Sequence, residues 1–199
     1  MTEHPEPPKS FRLLITRVSF PWYRIHALEH DPIYFGREPR NRFDAPAGEF
    51  GVLYVAKDAH GAFVETFGHA TGLRYVTLDE LEKRTLSLID SKRPLRLADL
   101  RGNGLARMGA DAALTSGTNH GLSRRWALAI HDHRSQPDGI LYRARHDPKR
   151  TCAAIFDGAE SELVARSGGT FLRPESRALL GDILDTCGFG LLPAKASTS

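Results

Sequence analysis

Twenty consecutive residues, Asp31 to Phe50, carry neither of the apolar periods that build helices or strands, and both segments that flank them do. Upstream, Trp22 to His26 is aromatic and β-branched and reads as a strand ending near His30-Asp31-Pro32. Downstream, Gly51-Val52-Leu53-Tyr54-Val55-Ala56 is a short apolar run that reads as a buried strand. An irregular connection this long inside a folded domain is either functional or disordered. Its residue types point to function. Arg37, Arg40 and Arg42 lie in the loop and Arg24 just before it, among the aromatics Tyr23, Tyr34 and Phe35, with Tyr54 and Glu65 following. Guanidinium groups match phosphate oxygens with paired hydrogen bonds. Aromatic rings offer faces to a base or a nicotinamide. A carboxylate stabilises the cationic sugar that forms when a glycosidic bond breaks. Together these types suit a dinucleotide; the alternative is a solvated, arginine-rich loop rim over a core strand and helix.

The remaining elements fix the class. Asp58 caps a helix from Ala59 to about Gly68, with Ala62, Phe63, Thr66 and Phe67 facing inward. Thr77-Leu78-Asp79-Glu80 is a capping box, and Leu78, Leu81, Thr85, Leu88 and Ile89 fit one helical stripe after it. Pro94 to Leu100 reads as a strand, Gly121 to His131 as a helix, and Gly139–Tyr142 and Cys152–Phe156 as two more strands. A last helix starts at Pro174 and ends at Gly188. Strands and helices mix without regular alternation, which predicts one α+β domain over residues 11–193, with loose tails at 1–10 and 194–199.

Several function classes are disfavoured. Net charge is only +3, and no run of five like charges or basic stripe marks a nucleic-acid binder. Cys152 and Cys187 match no zinc pattern and read as reduced, buried thiols. His131 and His133 point apart on either a strand or a helix, so no metal site is expected. No stretch is long and apolar enough to span a bilayer, and residues 1–10 lack the pattern of a signal peptide. Gly102-Asn103-Gly104 begins like a dinucleotide fingerprint, but Arg107 stands where its third glycine belongs, so it reads as a turn into a helix. No Gly-x-Ser-x-Gly elbow is present. Asp99, Asp138, Arg145 and Asp147 read as turn and structural residues.

Taken in order, five upstream pieces resemble the RES domain, a family named for Arg, Glu and Ser. They are Tyr23-Arg24-Ile25-His26, Asp31-Pro32-Ile33-Tyr34-Phe35-Gly36, Asn41-Arg42-Phe43, Gly51 to Ala56, and Ala62-Phe63-Val64-Glu65-Thr66-Phe67. Pro94 to Leu100, Asp138 to Tyr142 and Arg145-His146-Asp147 continue the likeness, which covers roughly residues 20 to 190. The resemblance implies a fold similar to ADP-ribosyltransferases and a cytoplasmic toxin that degrades NAD by hydrolysis or phosphorolysis. It implies no cofactor other than NAD as substrate, and an antitoxin partner with a helix-turn-helix part. ADP-ribosyl transfer to another acceptor and a non-catalytic binding role are the alternatives, and a homodimer is compatible with the sequence. Carried onto this chain, Glu65, Arg24 and Tyr54 become the catalytic candidates, and Arg24, Arg42, Tyr34 and Tyr54 the NAD-binding ones. One position departs from the family: Ala144 stands where many members carry serine before the Arg-His pair, and Ser123 lies outside that motif.

Overall fold

The apolar run from Val52 to Ala56 lies in the interior of a sheet, buried at four of its five positions. The computed structural model describes residues 6–68 and 74–194. The described residues form ten strands: β1 (Ile15–Val18), β2 (Trp22–Ala27), β3 (Val52–Ala56), β4 (Tyr75–Thr77), β5 (Arg84–Ser91), β6 (Leu95–Asp99), β7 (Gly139–Arg143), β8 (Thr151–Phe156), β9 (Leu163–Gly169) and β10 (Gly190–Leu192). Between them lie α1 (Ala59–Phe67), α2 (Leu78–Glu82), α3 (Gly104–Met108), α4 (Ala113–Ser116), α5 (His120–His131) and α6 (Arg177–Cys187).

Eight strands make one sheet in the order β1-β6-β7-β8-β3-β2-β5-β9, and β10 pairs with β4 in a small parallel sheet. In the large sheet β6 and β7 run parallel and the other neighbours antiparallel. The ladder has one register shift between β5 and β9, at Leu86/Ser87, and is thinnest in the middle. β3 pairs with β8 over five positions and β2 with β5 over six, but β2 and β3 meet only at Tyr23 opposite Ala56. The sheet therefore splits between β2 and β3.

Local chemistry sets the elements. Asp58 caps α1 by accepting the Gly61 N–H at 2.7 Å, as its sequence position implies. Thr77 and Glu80 form the reciprocal capping box that opens α2. Gly188 ends α6 at φ 67°, a left-handed conformation in which glycine carries no Cβ penalty. One core cluster lies under α5, around Phe43, Phe50 and Trp126. Another joins α1 to α6 through Phe63, Val64, Leu180 and Ile183.

The stripe after the capping box is corrected. The helix stops at Glu82, and Thr85, Leu88 and Ile89 belong to β5, where Thr85, Ser87 and Ile89 are buried in period-2 alternation. The run satisfies both periods, and pairing with β2 and β9 on its two sides decides for the strand. β1, β9 and the small β4–β10 sheet were not foreseen. Residues 1–5 and 195–199 of the expected tails lie outside the described residues; within the N-terminal one, Glu6 pairs with Arg125.

Candidate active site

A cleft of about 770 Å³ opens at the split between β2 and β3. Arg24, Tyr34, Arg42, Tyr54 and Glu65 all line it, so folding brings the five residues singled out in the sequence into one cavity. They arrive from four elements: β2 contributes Arg24, β3 Tyr54, α1 Glu65, and the long loop Tyr34 and Arg42.

One side chain on β3 makes two of the bonds that order the loop. The Tyr54 hydroxyl donates to Asp44 Oδ1 at 2.8 Å and accepts the Phe43 N–H at 2.9 Å. Asp44 Oδ2 accepts the N–H groups of Arg40, at 3.0 Å, and of Asn41. Phe43, Ala45 and Phe50 are buried, which anchors the loop by its apolar residues. Gly51 lies so close to Phe35 that an added Cβ would come within 2.8 Å of that side chain. Burial and the Asp44 carboxylate push the Tyr54 phenol well above its ordinary range, so it is a hydrogen-bonded wall of the cleft and stays protonated.

Arg42 departs from the expected exposed rim. It is 9% exposed, and its Nη1 donates to the Gly117 carbonyl at 2.8 Å. Burial lowers its pKa, as does neighbouring Arg145, while Glu65 opposes the shift. Arg24 is held differently. Its Nη2 donates to the Tyr34 carbonyl at 3.3 Å, and its buried Nε has no hydrogen-bond partner among the described residues. Burial brings its pKa down to about 10 against the opposing charge of Asp31. Tyr34 is half exposed at the mouth of the cleft and stacks on His30 with ring centres 5.1 Å apart.

Glu65 sits where α1 meets the end of β7. Its Oε1 accepts the Arg145 N–H at 3.2 Å, and its Oε2 accepts the Tyr142 hydroxyl at 3.4 Å. Burial raises its pKa, and the hydrogen bonds from Arg145 and Tyr142 together with the charges of Arg42 and Arg145 pull the other way. The result is a poorly hydrated carboxylate beside two cations at the wall of a cavity.

Tyr142, His120 and Arg145 also line this cleft, and sequence reasoning gave none of them a role in it. Arg145 read as a structural turn residue; here its amide holds Glu65 and its side chain lines the cleft. The other three carboxylates so read are structural: Asp99 pairs with Arg101, Asp138 with Arg93 and Asp147 with Arg150. His120 opens α5, and burial and the charges of Arg42, Arg124 and Arg145 lower its pKa. Tyr142 and Arg145 lie in pieces that carry the family likeness, but nothing local ties them to Glu65; the pairing of β8 with both β3 and β7 brings them there. Ala144 is buried in the core, and the Ser123 hydroxyl donates to the Leu114 carbonyl at 2.8 Å. Cys152 and Cys187 are buried free thiols. Among the described residues no group of His, Cys, Asp and Glu is placed to hold a metal, and no helix is long and apolar enough to cross a membrane.

The family model described as RES domain matches residues 21–172, the span that contains every residue of this cleft. The chain belongs to the RES domain family. This RES domain is 32% identical over 109 residues to a protein named "Probable toxin y4kH" from Sinorhizobium fredii (strain NBRC 101917 / NGR234), a match covering 54% of the chain and 85% of the relative. Its fold is similar to a chain in the crystal structure of the M. tuberculosis MbcT–MbcA toxin–antitoxin complex, with a TM-score of 0.56 and 18% identity, covering 84% of this chain and 91% of that one. The RES domain is a single α+β domain that shares the fold of that chain.

Proposed function

We propose that this protein is the toxin of a toxin–antitoxin pair and consumes NAD by breaking the bond between nicotinamide and ribose. The observation that carries the reading is Glu65: a carboxylate withdrawn from water, held at two oxygens, in a cleft that also presents Arg24, Arg42 and Arg145. As the bond to nicotinamide breaks, its electrons leave with the neutral ring and the ribose gains oxocarbenium character. Glu65 stabilises that charge and holds the ribose hydroxyls. Arg24 and Arg42 hold the pyrophosphate from two walls of the cleft and fix the reacting end. Tyr54 supplies a ring face and Tyr34 a second one at the mouth. Water or inorganic phosphate then attacks the anomeric carbon and loses a proton. NAD enters as substrate and no further cofactor is needed.

The partner follows from the relatives. One is named as a probable toxin and the other comes from a toxin–antitoxin complex. We assign this chain the toxin half, acting in the cytoplasm, with an antitoxin of the helix-turn-helix kind. The deciding experiment is incubation of the purified protein with NAD, with and without phosphate, followed by identification of products by mass. Hydrolysis yields nicotinamide and ADP-ribose, phosphorolysis yields ADP-ribose phosphorylated at the anomeric carbon, and transfer yields a modified acceptor. Failure to release nicotinamide under any of these conditions overturns the reading.

A further inference from the structure

Glu65 does not reach into the cleft unaided. The chain leaving β7 turns back into β8 across residues 144–150, and this hairpin grips α1 at two places. At the helix start, Arg150 Nη1 meets the carboxylate of the cap residue Asp58 at 3.3 Å. Two turns along, the carboxylate of Glu65 lies between Tyr142 and Arg145. The hairpin is itself braced: the Ala144 N–H donates to the Arg150 carbonyl at 3.1 Å, and Arg150 pairs with Asp147 at 3.2 Å.

We propose that Tyr142 is a positioning residue: together with the Arg145 amide it clamps both carboxylate oxygens of Glu65 and keeps that carboxylate aimed into the cleft. The inference rests on the proposed NAD-cleaving role of Glu65. The ring of Tyr142 has packing reasons to be where it is, since it is 5% exposed and meets Phe43 edge-on at 4.9 Å. Phenylalanine would satisfy those contacts equally. The hydroxyl is what packing does not require, and a buried phenol needs a hydrogen-bond partner. That partner is Glu65 Oε2. The groups facing the carboxylate are Arg42 from the loop, Arg145 and Tyr142 from the β7 side and Cys152 from β8, with Tyr54 beside Tyr142. Of these, the Tyr142 hydroxyl and the Arg145 amide donate directly to it. Donation to the ionised form favours it, against the burial that disfavours it. Removing the hydroxyl therefore raises the pH at which Glu65 ionises and loosens its aim.

The test compares the parent with Tyr142→Phe, using Tyr75→Phe, at an exposed position of β4, as control. Two readouts are taken. The first is the carboxyl carbon-13 titration of Glu65, assigned by its loss in Glu65→Gln. The second is the pH dependence of NAD turnover. In Tyr142→Phe the titration and the acid limb of turnover should both move to higher pH. At neutral pH kcat should fall by roughly tenfold, with KM held within about twofold. The control should match the parent. An unmoved titration and acid limb in a folded Tyr142→Phe overturn the proposal and leave Tyr142 a core ring only. If that variant does not fold, fluorotyrosine placed at position 142 alone keeps the ring and strengthens the donor; the titration should then move to lower pH, and no movement overturns the proposal. A parent that consumes no NAD would defeat the functional reading, while the titration would still judge the hydrogen bond.

Discussion

The hydroxyl of Tyr54 donates to the carboxylate of Asp44 at 2.8 Å, and through that bond a strand residue holds part of the long loop that precedes its strand. Asp44 is 2% exposed and also receives the N–H groups of Arg40 and Asn41, so Tyr54 is the sheet's handle on the stretch that carries Arg42. Tyr54→Phe deletes the handle and keeps the ring. It leaves a buried carboxylate without one of its donors and the Phe43 N–H without its acceptor. The expected loss of stability is about 1–3 kcal/mol, seen as a lower melting temperature, together with weaker NAD turnover. A melting temperature equal to the parent's would show that the loop is held by other contacts.

Glu65→Gln should cut NAD turnover by at least about a hundredfold while the fold persists. Undiminished turnover would remove Glu65 from the reaction.

The same substitution has a stability signature with a defined sign. Burial raises the pKa of Glu65 in the folded protein above its ordinary value in the unfolded chain. The folded state therefore holds this proton more tightly. Its contribution to stability is present in full below the ordinary glutamate pKa and declines as pH rises through the raised one. Glutamine has no proton to lose. Glu65→Gln should melt above the parent at neutral pH, and the gap should narrow as pH falls through that window. Melting curves from pH 4 to 7 decide it; a gap that widens toward low pH would mean that the folded site favours the ionised form.

Arg42→Lys keeps the charge and loses the planar fork. NAD turnover should drop by at least about tenfold, roughly 1.4 kcal/mol. Because Arg42 is buried and bonded to the Gly117 carbonyl, stability should fall too, by about 1 kcal/mol. Arg107→Lys, on the exposed surface of α3, is the matched control. Turnover equal to the parent's would reduce Arg42 to a structural tie between the loop and the end of α4.

With the antitoxin bound, the pair should bind DNA in a salt-dependent way, and this chain alone should not. Filter binding or anisotropy at low and moderate salt measures both. High-affinity, salt-sensitive binding by the isolated chain would contradict the assignment of DNA recognition to the partner.

Much of the cleft was legible before folding was considered. Arg24, Tyr34, Arg42, Tyr54 and Glu65 cluster within 42 residues of sequence, and local signals such as the Asp58 cap and the apolar run at β3 tie that span to a strand and a helix. The other wall was legible only as family likeness and not as part of a site. Tyr142 and Arg145 lie about 80 positions from Glu65, and only the pairing of β8 with both β3 and β7 brings them across. Arg42 misled for a related reason: nothing in Asn41-Arg42-Phe43 tells which side of the loop faces α4 and α5. The stretch from Arg84 to Ser91 misled locally, because eight residues of mixed apolar and polar types fit a helical stripe and a strand equally well until neighbours are known.

The split in the sheet has a consequence for when the protein becomes competent during its synthesis. The half of the cleft carried by β2, β3 and α1 is made first, yet β3 is closed along one side only when β8 arrives, at Thr151–Phe156. Pairings between segments so distant in the chain form late, since a long loop must close before they gain anything. A ribosome must therefore release more than three quarters of the chain before Glu65 meets Tyr142 and Arg145. Until then Glu65 lacks both of the donors that hold its carboxylate, and the cleft has only one of its walls.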